Sequence, residues 1–278
     1  MANQPSRETA GRIGARRAAG DAVVVTGAGG GIGLAIVGRL LGDGWAVVAT
    51  DVDQAGLERV RRAVAGERSL RLSAMNVAER TSVTATAAAL QADGLRVAGL
   101  VNVAGLLQDV FPLFSMDDVL QRRIWDVNYF GAVTCTQVFG AVMADGLGGA
   151  IVNITSINEL RPLPLHAYAP TKVALGALTV LSAGELGPKG VRVNAVAPGF
   201  TLTPIMEDKI RTGKRDVTTL RANAAMGRLV ETGEIASVVS FLLSDDASAV
   251  TGVSIPVDAG WLATSHWMNF RDLGQGPE

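Results

Sequence analysis

The sequence predicts an α/β fold, in which a single doubly wound, parallel sheet of about seven strands carries helices on both faces. Three observations predict it. Strand-like runs alternate with helix-like runs along the 278 residues, as they do when parallel strands are joined by helices. Several strand-like runs are nearly continuous Val, Ile and Ala, which is typical of strands buried on both faces. A composition of 48% hydrophobic residues with 33 glycines allows a large core and many tight turns.

Each element is predicted by its own local pattern. Short Val- and Ile-rich runs between turn residues predict strands, and longer runs with helical apolar spacing predict helices. The predicted strands are 23–26, 46–50, 70–74, 100–103, 151–155, 192–197 and 254–257. The predicted helices are 32–41, 55–65, 82–91, 117–143, 168–186 and 231–243. No internal repeat or linker divides these elements, so they form one domain over residues 21–262.

Three segments fall outside the alternation. Residues 1–20 are rich in Arg and lack apolar periodicity, which favours a flexible N-terminal arm over a transit peptide, since Glu8 and the poor apolar face argue against the latter. Residues from about 200 to 226 contain a charged, irregular stretch, and such insertions are often lids, so we expect a substrate lid here. Residues 263–278 form a C-terminal tail that we expect to cover the substrate mouth of its own or a neighbouring subunit.

Charge and cysteine content exclude several classes of function. A formal net charge of −1 does not indicate binding to nucleic acid or to an anionic membrane surface. No apolar run approaches the length of a membrane span, so we expect no membrane partner. The single cysteine, Cys135, excludes an internal disulfide framework and fits a reducing compartment, so we expect a cytoplasmic protein. No metal site is expected.

A glycine-rich segment follows the first predicted strand. Gly27, Gly31 and Gly33 lie between that strand and the first helix. Glycines let the backbone approach a pyrophosphate, and the free N–H groups of the first helical turn point at it. The segment therefore predicts a nucleotide site in a Rossmann-type domain.

Asp51, at the end of the second predicted strand, indicates which nucleotide is bound. It lies 18 residues after Gly33, where a carboxylate can accept hydrogen bonds from the adenosine ribose hydroxyls. The carboxylate would also repel a 2′-phosphate, and no Arg or Lys stands at positions 50–54. We therefore expect NAD as the cofactor.

Tyr168 and Lys172 stand four residues apart at the start of a predicted helix, so both side chains lie on one helical face. A nearby cation favours the phenolate, which predicts a Tyr168 pKa below its ordinary value. Such a phenol is a general acid or base for an alcohol or ketone. Pro170 lies in the first turn, where its missing N–H does no harm.

The order of these motifs resembles the short-chain dehydrogenase/reductases over about residues 21–262. The resemblance rests on Gly27-x-x-x-Gly31-Ile32-Gly33, on the run from Asn102 to Gly105, and on the Ser, Tyr and Lys that follow. It implies reversible hydride transfer between a nicotinamide and a carbon that bears oxygen. The cofactor-binding residues that it implies are Gly27, Gly31, Ile32, Gly33, Asp51, Asn76, Val77, Asn102, Ala104, Gly105, Tyr168, Lys172, Pro198, Gly199 and Thr203. Asn76 and Val103 depart from the family pattern of Asp-Val and Asn-Asn-Ala-Gly, and we expect little loss from either change.

The resemblance also assigns roles to four catalytic residues. Tyr168 exchanges the proton of the hydroxyl group, and Lys172 assists it and binds the nicotinamide ribose. Ser156 stabilises the substrate oxygen, with Thr155 as the alternative if the register slips by one. Asn128 bends a helix and holds a water beside the Lys. Homotetramers are common in the family, so we expect a homotetramer or homodimer.

The substrate is predicted from the loop between Ser156 and Tyr168. Asn158, Glu159 and His166 place polar groups at the expected mouth of the site, and Gln108 and Asp109 could also border it. A polar mouth favours a small-molecule polyol, sugar or cyclic diol over an acyl chain. Two alternatives stay open: a 3-ketoacyl-carrier-type reductase that uses NADPH, and a nucleotide-binding regulatory protein that has lost catalysis.

Overall fold

The computed structural model describes residues 20–110, 112–214 and 216–264. The expected N-terminal arm and C-terminal tail lie largely outside these residues. The strands are β1 (Ala22–Thr26), β2 (Ala46–Asp51), β3 (Leu70–Ala74), β4 (Val97–Asn102), β5 (Gly149–Ile154), β6 (Val191–Pro198), β7 (Thr201–Leu202), β8 (Val230–Glu231) and β9 (Ser254–Val257). The helices are α1 (Gly31–Gly42), α2 (Gln54–Ala63), α3 (Arg80–Ala92), α4 (Asp118–Trp125), α5 (Ala132–Asp145), α6 (Ile157–Leu160), α7 (Tyr168–Leu186), α8 (Pro204–Arg211), α9 (Thr218–Ala222), α10 (Thr232–Leu243) and α11 (Trp261–Thr264).

Seven strands form one sheet in the order β3-β2-β1-β4-β5-β6-β9, and every neighbouring pair is parallel. The predicted parallel sheet of about seven strands is thus confirmed. After β3 at one edge, the chain crosses back and adds β4 on the other side of β1, so the strand order reverses between β1 and β4. In sheets of this kind the crevice outside the carboxyl ends of the strands, at that switch point, is where ligands bind.

Two hydrophobic cores cover the two faces of the sheet, as the nearly continuous apolar strands predict. Val23 and Val25 of β1 face one core, which α1, α2 and α10 complete, whereas Val24 faces the other core, which α3, α5 and α7 complete. Cys135 of α5 is fully buried in the second core. Successive residues of a strand point to opposite faces, so one short strand anchors helices on both sides.

The predicted helix 117–143 is interrupted in the structure. A π-helical turn at Asp126–Gly131 joins α4 to α5 and contains Asn128. Apolar spacing did not reveal this turn, because a single π-helical turn spans too few residues to show a change of period. Turns of this kind are often found at functional sites.

The combined helical stretch Asp118–Asp145, with a mean hydropathy of 1.2, is long and apolar enough to cross a membrane by length and composition alone. The sequence prediction that no apolar run approaches that length is therefore wrong for this stretch. Phe139 and Met143 of this stretch are at most 1% exposed and lie in the core that α3, α5 and α7 complete. We interpret it as a core helix.

The expected lid region is more regular than the sequence predicts. β7 pairs with β8 through Thr201↔Val230 and Leu202↔Glu231, and α8 and α9 lie between these two strands. The segment is therefore closed at its base by a short parallel ladder. Its function as a lid stays a prediction.

Glu234 stabilises the chain where this segment returns to the domain. Its carboxylate accepts hydrogen bonds from Arg228 Nη1 (2.8 Å) and Nη2 (2.7 Å), and from the backbone N–H of Glu231 at the start of α10 (2.8 Å). These contacts, those from Arg228 above all, lower the pKa of Glu234 to about 2. The folded pKa is below the unfolded one, so the stabilisation is present above pH 4.5 and disappears as the pH falls towards 2.

We expect Glu234→Ala to lower the free energy of unfolding by about 1 kcal/mol at neutral pH, a typical value for a lost helix cap. Partial exposure of the ion pair limits any further contribution. Urea denaturation at pH 7 and pH 3 measures the effect. The difference between the variant and the parent protein should be smaller at pH 3, and an equal difference at both values would contradict the ionic part of the argument.

Candidate active site

The predicted phosphate loop lies at the switch point, between β1 and α1. Gly27 has a φ of 62°, and a Cβ placed on it would lie 2.7 Å from Ala104 Cα. A Cβ on Gly33 would lie 2.2 Å from the carbonyl oxygen of Gly27. Thr26 Oγ1 accepts hydrogen bonds from the backbone N–H groups of Val103 (3.0 Å) and Ala104 (3.1 Å). These bonds join the end of β1 to the end of β4. At Gly27 and Gly33, any side chain would clash with the surrounding backbone.

The start of α8 forms one wall of this loop. A Cβ on Gly31 would lie 2.9 Å from Pro204 Cδ and 3.1 Å from Thr203 Cβ. Ile32 follows Gly31 in the first turn of α1. The predicted residues Gly31, Ile32 and Thr203 are therefore together, although they come from distant parts of the sequence.

Asp51 reaches the same loop from the end of β2. Its Oδ2 accepts a hydrogen bond from Gly29 N (2.9 Å), and its Oδ1 accepts one from Asp53 N (3.0 Å). Arg59 of α2 lies nearby, since its Nε donates to the carbonyl oxygen of Gly29 (3.2 Å). The carboxylate thus stands beside the glycine loop, as its position in the sequence predicts.

Asn76 and Val77 lie past the end of β3. The Asn76 side chain caps the next turn, accepting from Ala78 N (3.1 Å) and donating to Glu79 (2.8 Å). Val77 is buried against the π-helical turn, where a Cβ on Gly131 would lie 2.7 Å from Val77 Cγ2. The pair therefore lies beyond the carboxyl end of β3, the strand at one edge of the sheet.

Other residues predicted to bind the cofactor join strands to one another. Asn102 donates from Nδ2 to Asn153 Oδ1 (2.8 Å), while its buried Oδ1 has no hydrogen-bond partner within the described part of the chain. Pro198 ends β6, and a Cβ on Gly199 would lie 2.7 Å from Asp258 Cα. The conformation of these positions is thus fixed by sheet packing.

A nicotinamide dinucleotide fits this crevice. The glycines form a cradle that side chains would fill, and the 12-residue helix α1 begins directly at it. A helix N-terminus attracts anions through its free N–H groups and its dipole. Asp51 adds an acceptor for hydroxyl groups at the side of the cradle.

Ser156, Tyr168 and Lys172 meet at the carboxyl end of β5. A side-chain hydrogen bond joins Ser156 to Tyr168. Lys172 Nζ lies 5.5 Å from the centre of the Tyr168 ring and donates to the carbonyl oxygen of Ile154 (2.9 Å). The structure therefore brings together three side chains that the sequence places on two elements. Ser156, and not the alternative Thr155, is the residue that faces Tyr168, because the Thr155 hydroxyl donates to Val196 O (3.0 Å).

Asn128 links this cluster to the loop after β4. Its Oδ1 accepts from Leu106 N (2.7 Å), and its Nδ2 donates to Leu106 O (3.0 Å) and Thr171 Oγ1 (3.2 Å). A Cβ on Gly105 would lie 3.5 Å from Asn128 Oδ1 and 3.7 Å from Lys172 Nζ. Asn128, Gly105 and Lys172 are therefore neighbours, and the π-helical turn is what directs the Asn amide towards α7.

The pKa values differ from the sequence-based prediction. Burial raises the pKa of the Tyr168 phenol to about 12, with the hydrogen bond to Ser156 acting in the opposite direction. Burial also lowers the pKa of Lys172 to about 8, while the Glu159 carboxylate acts to raise it. The predicted fall of the Tyr168 pKa is thus wrong for this arrangement, because desolvation outweighs the hydrogen bond to Ser156. At neutral pH the phenol is in the form that donates a proton.

Gln108 is a residue whose role the sequence did not reveal. Its side chain is 5% exposed, and its Oε1 accepts from the backbone N–H groups of Ala167 (2.6 Å) and Tyr168 (2.8 Å). It thus caps the start of α7 from a loop 60 residues away along the chain. Cap preferences reveal local caps only, so a cap from so distant a residue leaves no local signal.

The three residues predicted to contact substrate differ in their surroundings. Asn158 is 4% exposed, with Nδ2 donating to Ser156 Oγ (3.1 Å) and Oδ1 accepting from Leu163 N (2.9 Å). Glu159 accepts from Ser254 Oγ on β9 (2.8 Å). His166 is half-buried, two residues before Tyr168. The first two side chains are thus engaged within the protein.

Comparison with known proteins gives consistent matches. A family model described as enoyl-(acyl carrier protein) reductase matches residues 27–262. Galactitol 2-dehydrogenase (L-tagatose-forming) of Cereibacter sphaeroides is 36% identical over 87% of this chain and 95% of its own. Cis-4-hydroxycyclohexanecarboxylate dehydrogenase of Sinomonas cyclohexanicum is 35% identical over 86% and 96%. An uncharacterized short-chain type dehydrogenase/reductase of Sinorhizobium fredii, y4vI, is 35% identical over 88% of this chain, which spans 44% of that protein.

Solved structures agree with the fold. A chain described as ribose-5-phosphate isomerase from Brucella melitensis 16M is 42% identical, with a TM-score of 0.84 over 91% of this chain and 96% of its own. A 3-ketoacyl-(acyl-carrier-protein) reductase from Brucella melitensis, complexed with NADH, is 31% identical, with a TM-score of 0.77 over 87% and 98%. The chain of ElxO with NADP bound is 27% identical, with a TM-score of 0.83 over 87% and 99%. The sequence and structural matches, together with the site, show that the chain belongs to the short-chain dehydrogenase/reductase family and is an oxidoreductase that acts on alcohol and carbonyl groups.

Proposed function

We propose that the protein is an NAD-dependent dehydrogenase that interconverts a secondary alcohol and its carbonyl compound. The observation that carries the proposal is the hydrogen-bonded pair of Ser156 and Tyr168, with Lys172 beside it, at the crevice that contains the glycine loop. An acid/base group and a polar partner beside a nucleotide cradle are what reversible oxidation of a hydroxyl group requires.

In this proposal the residues of the glycine loop, with Ala104, Gly105 and Thr203, hold the nucleotide phosphates and nicotinamide half, and Asp51 binds the adenosine ribose. Asn76 and Val77 border the adenine. Asn102, Pro198 and Gly199 shape the crevice through the strands that they join. When bound, the nicotinamide supplies or accepts the hydride.

The side chains of this chain handle the proton. Tyr168 gives its proton to the carbonyl oxygen in reduction and takes it from the hydroxyl in oxidation, and Ser156 donates a hydrogen bond to the same substrate oxygen. Lys172 stabilises the phenolate and binds the nicotinamide ribose. Asn128 fixes the position of α7 through Thr171 and holds the water that connects Lys172 with solvent.

We infer that the substrate is a polyol, a sugar or a cyclic diol. The names of two relatives, a galactitol dehydrogenase and a hydroxycyclohexanecarboxylate dehydrogenase, support this class. His166 is the proposed direct contact with a substrate hydroxyl group, because it is half-buried and lies two residues before Tyr168 in the chain. Asn158 contributes through Ser156, whose Oγ it orients.

A screen of polyols, sugars, cyclic alcohols and 3-hydroxyacyl thioesters, with NAD and with NADP, tests the proposal. NADH formation with a hydroxyl-rich or cyclic substrate is the expected result. A preference for 3-ketoacyl thioesters with NADPH would support the alternative reductase. Binding of NADH without turnover of any substrate would support a regulatory protein, and isomerisation of a pentose phosphate without a nucleotide would support the activity named for one structural neighbour.

The proposed NAD preference makes a prediction at Asp51. We expect Asp51→Asn to lower the ratio of kcat/KM for NAD to that for NADP by at least about tenfold, since unit charges about 4 Å apart repel by about 4 kcal/mol before salt screening. The amide keeps an acceptor for Gly29 N. Asp93→Asn, the same change at the far end of α3, is the control. An unchanged ratio at position 51 would remove the electrostatic basis for NAD.

We also propose a homotetramer or homodimer in the cytoplasm. Large apolar side chains remain exposed along α5 and α7, including Val142 (38%), Val180 (58%) and Leu181 (71%). Light scattering of the purified protein measures the oligomeric state. A monomer at micromolar concentration would contradict the proposal.

A further inference from the structure

Glu159 lies on α6, three residues after Ser156, and its carboxylate is held from two sides. Oε2 accepts a hydrogen bond from Ser254 Oγ on β9 (2.8 Å). Oε1 lies against α7, where a Cβ placed on Gly176 would be only 2.3 Å away. The carboxylate therefore fills a notch that exists because residue 176 has no side chain.

The position of this notch matters for Lys172. Gly176 follows Lys172 by four residues on α7, and residues four apart lie one above the other on the same helical face. The carboxylate thus lies one helical turn from Lys172, on the face of α7 that the two positions share. A negative charge is fixed there by β9 and by the backbone of α7.

Lys172 is a cation in a place that disfavours charge. It is 4% exposed, and burial is the main cause that lowers its pKa to about 8. The surrounding elements offer it the Ile154 carbonyl from β5 and the Tyr168 ring from its own helix, and Gly105 lies close to its Nζ. Glu159 supplies the opposing charge, because its carboxylate acts to raise the Lys172 pKa.

We propose that Glu159 is a positioning residue for the catalytic cluster: seated between Ser254 and Gly176, it keeps Lys172 in its ammonium form. The proposal rests on the proposed function only for its catalytic consequence. With Lys172 charged, the phenolate of Tyr168 is stabilised during turnover. Glu159 thus acts through Lys172 without touching the substrate.

A direct titration of Lys172 tests the proposal without any need for a substrate. The chain has four lysines (Lys172, Lys189, Lys209 and Lys214), so carbon-13 labelling of lysine Cε gives four signals, which Lys172→Met assigns. We expect Glu159→Gln to move the Lys172 titration midpoint down by about one pH unit, the size of shift that a nearby opposite charge causes. The amide still fills the notch and still accepts from Ser254.

Two further variants make the result decisive. Glu185→Gln, the same change at an exposed position on α7, should leave the midpoint where it is. Ser254→Ala keeps the charge but removes its hydrogen bond, and we expect a smaller downward shift. If Glu159→Gln fails to fold, Ser254→Ala carries the test. An unmoved Lys172 midpoint in the folded variant overturns the proposal.

Kinetics separate this proposal from the proposed function. For carbonyl reduction, we expect the alkaline limb of the kcat/KM profile to move down in pH with Glu159→Gln, and activity at lower pH to recover towards that of the parent protein. A shifted titration midpoint without turnover by the parent protein would leave the Glu159–Lys172 coupling standing and reject the proposed function. Normal turnover with an unmoved limb and midpoint would reject the coupling alone.

Discussion

Replacing Tyr168 by Phe is expected to lower kcat/KM by about 10²–10⁴-fold, the usual contribution of a positioned acid or base. The change removes one oxygen and keeps the ring beside Lys172 Nζ. Ser156 loses one hydrogen-bond partner and keeps Asn158, and the glycine loop is untouched. NADH affinity, measured by fluorescence titration, should therefore change little while turnover nearly disappears.

The chain contains one other tyrosine, Tyr129, which provides a matched control. Its ring packs edge-on against Trp125 and Phe130 in the π-helical turn. Tyr129→Phe removes the same oxygen without touching Ser156 or Lys172, so we expect nearly normal kinetics. Equal losses in the two variants would show that Tyr168 has no special role in proton transfer.

Replacing Gly33 by Ala is the second change with a large expected effect. A Cβ at this position would lie 2.2 Å from the Gly27 carbonyl oxygen and 2.9 Å from Ala28 Cα, both of them backbone atoms. Either the loop or the first turn of α1 must move, and the N–H groups then no longer converge on a phosphate. We expect NADH binding to weaken by about a hundredfold, or about 2.8 kcal/mol. Isothermal titration calorimetry measures the change.

Gly38 offers a control on the same helix. A Cβ there would meet nothing within 4 Å. Gly38→Ala should leave NADH affinity unchanged and stabilise the protein by up to about 1 kcal/mol, because Ala favours helix more than Gly does. Similar binding losses in the two variants would contradict the cradle argument.

The sheet could be predicted from sequence because its strands are apolar on both faces. Predicted strands 70–74 and 254–257 agree with β3 and β9 at both ends. The prediction for β4 began three residues late, because Gly99 weakens the apolar signal of Val97 and Ala98. The strand pairing of β7 with β8 was missed, since two-residue strands carry no periodicity.

The candidate site was predictable where residue type alone decides the geometry. Glycines at a strand–helix turn and a Tyr–Lys pair on one helical face are such cases. The directions of Asn158 and Glu159 were not predictable, because a four-residue helix, α6, turns them inward towards Ser156 and Ser254. The Tyr168 pKa was missed for a related reason, since sequence spacing reports a neighbouring charge but not the depth of burial.

The sole cysteine of the chain has a practical consequence. Cys135 has no exposed surface, and burial raises its thiol pKa to about 12, so it stays protonated and unreactive near neutral pH. A thiol introduced on α8, for example at Ile205, which is 71% exposed, would then be the one group that a maleimide dye labels. Fluorescence from that dye would follow α8 in real time as nucleotide and alcohol bind, without any background mutation.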